Sequence, residues 1–203
     1  MIKGVIFDVG GVLLRTHDQS GRRKWETRLG LKLGELAYLV FDSELGRQAQ
    51  LGQATLEEVW AWVGTYLGLS REQLASLKRD FWSGDWLDQE LCDYIRGLHP
   101  RYRTGMLSNN WASDGRAMAQ ELGIADCFDV FVTSAEIGVM KPDPRIYQVA
   151  LDRLRISPPE GIFVDDFVEN VEAARRLGMR AVHFSSSTQA RDQLNELLTS
   201  ASP

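Results

Sequence analysis

The chain has 203 residues, 44% of them hydrophobic and 25% charged, with a formal net charge of −5. This is the composition of a soluble globular protein with a sizeable core, built as one large domain or one domain carrying an insertion. It lacks the basic footprint of a nucleic-acid or anionic-membrane partner, and no apolar run approaches the length of a membrane span.

The first run, Gly4-Val5-Ile6-Phe7-Asp8-Val9-Gly10-Gly11-Val12-Leu13-Leu14, is apolar up to an aspartate, turns on two glycines and becomes apolar again. Such a run reads as a strand buried on both faces, as in a parallel sheet. Asp8 in its middle, with no small-residue cleavage site, argues against a signal peptide and makes the cytoplasm the expected location. Cys92 and Cys127 lack CxxC spacing and are expected to be reduced core residues.

From Thr16 to Leu98 the text shows amphipathic helical patterns and no convincing strand. Thr55-Leu56-Glu57-Glu58 and Ser70-Arg71-Glu72-Gln73 fit the capping box, so helices are expected after Thr55 and Ser70, the first closed by Gly68. Trp25, Trp60, Trp62, Trp82 and Trp86 all lie here. Residues 16–90 are read as a small helical bundle inserted after the first strand.

Strand and helix patterns then alternate. Strands are expected over 103–107, 129–133, 161–164 and 180–184, and helices over 113–122, 144–155, 168–177 and 188–198. That alternation predicts an α/β fold, a Rossmann-like doubly wound parallel sheet, with residues 1–15 and 91–203 forming the core.

Polar groups collect at the predicted strand ends: Asp8, then Ser108-Asn109-Asn110, then Asp165-Asp166, with Lys141 in the proline-bounded loop Val139-Met140-Lys141-Pro142-Asp143-Pro144. Each has an ordinary alternative as a turn residue, helix cap or solvated lysine. In a parallel sheet, however, all carboxyl ends face one crevice. Three carboxylates gathered there would repel unless a cation joined them, and a hard divalent ion, Mg²⁺, resolves the conflict. Ser108 and Lys141 then offer a hydroxyl and a positive charge to an anion, which points to phosphoryl transfer with a carboxylate nucleophile.

These motifs resemble, in order and spacing, those of the haloacid dehalogenase superfamily: Val5-Ile6-Phe7-Asp8, Leu107-Ser108-Asn109, Lys141-Pro142 and Val164-Asp165-Asp166. The inserted bundle is similar in position to that superfamily's C1-type helical cap. The resemblance implies that Asp8 is the nucleophile and forms an aspartyl-phosphate. It implies that Ser108, Asn109 and Lys141 bind the transferring group of a small phosphorylated substrate. Asp8, the Gly10 carbonyl, Asp165 and Asp166 are the implied Mg²⁺ ligands.

One position departs from the pattern. Phosphatases of this superfamily usually carry a second aspartate, a general acid/base, where this chain has Gly10. Loss of such an acid costs about 10²–10⁴-fold, or roughly 3–6 kcal/mol of barrier. A substrate with a good leaving group, such as an anomeric sugar phosphate or an acyl phosphate, tolerates that loss. The first motif is similar to that of the α-D-glucose-1-phosphate phosphatase and epoxide-hydrolase N-domain-like branch, where glycine also occurs. His17, the nearest imidazole in sequence, is an alternative acid. A metal-independent haloacid dehalogenase and a catalytically weak phosphate-binding or regulatory protein are the competing readings. Among the tryptophans, Trp111, just past the second motif, is the one expected nearest the site.

Overall fold

The computed structural model describes residues 1–199. In chain order, the first part comprises β1 (Gly4–Phe7), β2 (Leu14–Thr16), α1 (Ser20–Leu29), α2 (Glu35–Phe41), α3 (Glu44–Gln50), α4 (Leu56–Tyr66), α5 (Arg71–Trp82), β3 (Asp85–Leu87) and α6 (Gln89–Leu98). The second comprises β4 (Arg103–Ser108), α7 (Gly115–Glu121), β5 (Val130–Thr133), α8 (Ser134–Ile137), α9 (Pro144–Leu154), β6 (Gly161–Asp165), α10 (Val168–Arg176), β7 (Arg180–His183) and α11 (Ser187–Thr199). Among the described residues no helix is long and apolar enough to cross a membrane.

Five strands pair in parallel in the order β5-β4-β1-β6-β7. The chain leaves β1 on one side to form β4 and β5, then crosses to the other for β6 and β7. The strand order therefore reverses at β1, which opens a crevice at the carboxyl ends. Both faces of the sheet are covered, which is why its strands read as continuous apolar runs. Val5 and Phe7 join Leu91, Ile95 and Leu194 from α6 and α11, whereas Ile6 joins Tyr147, Leu151 and Ala174 from α9 and α10. Observed strand and helix limits differ from the expected ones by a residue or two.

The inserted helices have their own core, built on Trp25, Leu36, Val59, Trp60, Leu77 and Phe81. The two expected capping boxes form. Thr55 Oγ1 accepts from the Glu58 N–H (3.1 Å) while Glu58 Oε2 accepts from the Thr55 N–H (2.7 Å), and Ser70 and Gln73 repeat the exchange. Trp60 is buried, whereas Trp62 lies partly exposed against Tyr66, as residues two apart on one helix must.

One expectation fails. The stretch read as free of strands contains β3, which pairs antiparallel with β2: Leu14 with Leu87, Arg15 with Trp86, Thr16 with Asp85. Three residues carry no readable period, and this strand exists because β2 lies alongside it. Trp82 and Trp86 consequently sit on different elements, α5 and β3. Gly84 marks a close approach of chains, since a Cβ there would collide with the Asp18 carbonyl. The ribbon joins the helices to the sheet and is fastened at both ends. Arg15 donates to Asp88 Oδ2 (2.6 Å), which also accepts from the Ser187 hydroxyl, and Thr16 Oγ1 donates to Asp85 Oδ1 (2.6 Å).

Candidate active site

Register alone brings the first two carboxylates together. Phe7 pairs with Met106 on one side and with Val164 on the other. The next residues, Asp8, Leu107 and Asp165, are therefore level at the carboxyl edge of the sheet, with Ser108 one step beyond. Asp8, Ser108 and Asp165 are buried, and Lys141 reaches in from the loop ahead of α9.

Lys141 ties the strands together. Its Nζ lies 2.8 Å from Asp8 Oδ1, 2.7 Å from Asp165 Oδ2 and 3.1 Å from the Leu107 carbonyl. Those contacts use all three protons of the ammonium group. The Lys141 backbone is held as firmly, because Asn109 Oδ1 accepts from its N–H (2.8 Å) and Asn109 Nδ2 donates to its carbonyl (3.0 Å). Asn109 thus engages the Lys141 main chain across 32 residues of sequence.

The adjacent aspartates have different surroundings. Asp165 accepts from Lys141 and from Asn170 Nδ2 at both oxygens, and its Oδ1 also accepts from the Phe167 N–H (2.8 Å). Its lone pairs are taken. Asp166 is the opposite, since its Oδ1 is buried with no hydrogen-bond partner. Asn170, which lies outside the four motifs, is the positioning group that sequence reasoning missed. It sits at the start of α10 five residues after Asp165, and an asparagine there reads like any helical polar residue.

Ligand atoms of Asp8, Asp165 and Asp166 all lie within 4.8 Å of one another. Three carboxylates face one ammonium, so the cluster is short of positive charge. Burial pushes the Asp8 carboxyl up to about 7 despite the opposing pull of Lys141. Burial, then the Asp165 charge, also raises Asp166. Burial opposes the Lys141 charge, but Asp8 and Asp165 outweigh it and hold the ammonium above its usual range. An all-oxygen donor set with an orphaned carboxylate oxygen and excess negative charge fits a hard divalent cation. Donor by donor, Asp8 and Asp166 have oxygens open to such an ion, and Asp165 is filled.

The two glycines after Asp8 differ. Gly11 has φ +78°, and a Cβ there would overlap the Asp166 carboxylate. Gly10 is exposed, and a Cβ there would meet nothing within 4 Å. His17 is exposed on the ribbon, its ring edge-on to Trp86. Trp111 packs against Phe41 and Trp82 of the inserted helices.

A family model described as haloacid dehalogenase-like hydrolase matches residues 2–178. The chain is 29% identical over 198 residues to the sesquiterpene phosphatase astK of Aspergillus oryzae, covering 97% of this chain and 96% of that protein. It is 26% identical over 207 residues to (S)-2-haloacid dehalogenase 2 of a Pseudomonas strain, covering 96% and 89%. The crystal structure of a HAD family enzyme from Bacteroides thetaiotaomicron, complexed with magnesium and inorganic phosphate, matches with a TM-score of 0.74 and 21% identity. That match covers 91% of this chain and 95% of the other, and it is a likeness of fold.

Proposed function

Because the chain belongs to the haloacid dehalogenase-like hydrolases, we propose that this hydrolase is a magnesium-dependent phosphomonoesterase working through an aspartyl-phosphate on Asp8. The observation that carries the reading is the cluster of Asp8, Asp165 and Asp166, in which, among the described residues, Lys141 is the one cation bonded to the carboxylates, and to two of them. In this reading residues 16–90 act as a cap over the crevice. Magnesium would be held by Asp8, the Gly10 carbonyl and Asp166, with Asp165 supporting through Lys141 and Asn170, and would offset charge on the phosphoryl oxygens.

The Val9 N–H (2.7 Å) and Lys141 hold Asp8 Oδ1, which leaves Oδ2 to attack phosphorus. The new Oδ2–P bond forms as the ester P–O bond breaks, and its electron pair leaves with the alkoxide. Ser108 donates its hydroxyl to the transferring group, and Asn109 keeps Lys141 in place beside it. Water then attacks phosphorus as the Oδ2–P bond breaks, the electron pair of that bond returns to Asp8 and phosphate departs. The proton that water loses passes through solvent to the alkoxide. Gly10 offers no proton to the leaving alkoxide, so the favoured substrates are small phosphorylated metabolites with stable leaving groups, anomeric sugar phosphates among them. The free thiols of Cys92 and Cys127 support a cytoplasmic setting.

The test is a panel of aryl, acyl, anomeric and primary-alcohol phosphates, with Mg²⁺ and with EDTA, on wild type and Asp8→Asn. Activity is expected only with metal, is absent in Asp8→Asn, and falls steeply as the leaving-group pKa rises. Equal rates on anomeric and primary-alcohol esters would contradict the leaving-group reading. Dehalogenation is the second reading, favoured by the dehalogenase relative and by the missing acid at position 10. Release of halide from a 2-haloacid in EDTA would establish it. The open carboxylate of Asp166, which a metal-free reaction does not use, supports the phosphatase instead.

A further inference from the structure

Trp111 takes no part in the steps above, yet it lies where the loop carrying Ser108 and Asn109 meets the inserted helices. Its ring is stacked on Phe41, with centroids 5.7 Å apart and planes 18° from parallel, and stands edge-on to Trp82 at 6.0 Å. A residue of the sheet layer is thereby packed against the core of the helical block.

The opposite side of the same loop is held at α8. The Asn110 N–H donates to Ser134 Oγ (2.9 Å), and the Asn110 carbonyl accepts from the Ala135 N–H (3.2 Å). Ala135 is also touched by the inserted helices. Gly52, just past α3, has φ +72°, and a Cβ there would fall 2.5 Å from the Ala135 carbonyl oxygen. Both anchors of the loop therefore bear on the helical block, one through aromatic rings and one through backbone.

We propose that Trp111 is a positioning residue that couples the seating of the inserted helices to the loop bearing Ser108 and Asn109, and so sets that loop's affinity for a phosphoryl group. The inference rests on the phosphatase reading and deepens it, because it names the contact through which the cap regulates the site. An aromatic pair of this kind is worth a factor of about two to ten in an equilibrium constant.

The experiment measures binding of inorganic phosphate by calorimetry in the presence of Mg²⁺, together with kcat and KM for p-nitrophenyl phosphate. The proteins are wild type, Trp111→Phe, Trp111→Ala, Phe41→Ala and the Trp111→Ala/Phe41→Ala double variant. Trp111→Ala and Phe41→Ala should each weaken phosphate binding about three- to tenfold, with KM rising in step and kcat changing less. Trp111→Phe should stay within about twofold of wild type, and the double variant should be no weaker than the worse single one, since both remove one shared contact. Wild-type phosphate affinity in Phe41→Ala, or losses that multiply in the double variant, would overturn the coupling. Melting curves establish folding, and if Trp111→Ala does not fold, Phe41→Ala against Trp111→Phe decides the question. A wild type that neither binds phosphate nor cleaves the ester ends the phosphatase reading and the coupling together. A wild type that does both, with variants that match it, ends the coupling alone.

Discussion

The backbone of Gly11 runs against the carboxylate of Asp166 so closely that a Cβ at position 11 would lie 2.6 Å from Oδ1 and overlap the rest of the group. Its φ of +78° adds a second barrier to any side chain. Gly11→Ala should therefore displace Asp166, and a shift near 1 Å at a reacting centre costs about 10²-fold in rate. Gly10→Ala meets open space and should change stability by no more than about 0.5 kcal/mol. Melting temperature and Mg²⁺ titration of the two variants check the contrast.

The same open space makes position 10 the place to supply the missing acid. Gly10→Asp should raise turnover of primary-alcohol phosphates at least tenfold, within the roughly 10²–10⁴-fold reach of general acid catalysis. Acyl and anomeric phosphates, which need little protonation, should gain far less. The ratio of the two rates, measured before and after substitution, reads the effect directly.

Asp8 should destabilise the metal-free fold at high pH. Burial lifts its carboxyl from 3.8 to about 7, so the folded chain binds this proton more tightly than the unfolded chain does. The resulting contribution to stability is full below about pH 4 and fades as pH rises through about 7. Asp8→Asn removes the buried charge. In the absence of metal it should melt about 4 °C higher than wild type at pH 8, with the difference shrinking as pH falls and nearly gone by about pH 4. A lower melting temperature at pH 8 would contradict this.

Metal binding should expel a proton from the same group. At pH 6 Asp8 is largely protonated, and a cation that needs its carboxylate must displace that proton. Calorimetric Mg²⁺ titrations in buffers of differing ionisation enthalpy should show proton release near pH 6 that disappears by about pH 9. The melting temperature gained on adding Mg²⁺ should correspondingly be larger at pH 8 than at pH 5.

The ribbon fastening carries a pH dependence of opposite sign. Burial alone would raise Asp88, but bonds from Ser187, the Leu91 N–H and Arg15 outweigh it and lower its pKa. Asp88 therefore contributes stability above its unfolded pKa that is lost as pH falls through the folded value. Asp88→Ala removes a helix cap and leaves Arg15 without its ion-pair partner, a loss on the order of 3 kcal/mol. Urea denaturation at pH 7 and pH 3 should show a smaller loss at the lower pH than at the higher.

Residue order alone determined a good deal about this protein. The strands follow from apolar runs that end in a polar residue, and α4 and α5 begin at capping boxes whose partners are three residues apart. Asp8, Ser108 and Asp165 could be placed at strand ends for the same reason, since each interaction that defines such an end acts within a turn or a strand. Only the tertiary structure decided how Asp165 differs from Asp166, why Gly11 is required and Gly10 is not, what Asn109 holds, and that three residues at 85–87 form a strand. Apart from the nearby Phe167 and Asn170 bonds to Asp165, these distinctions depend on which atoms from 24 or more residues away occupy a lone pair or a void. That occupancy is settled by closure of the sheet and docking of the helices, and no local pattern of residues encodes it.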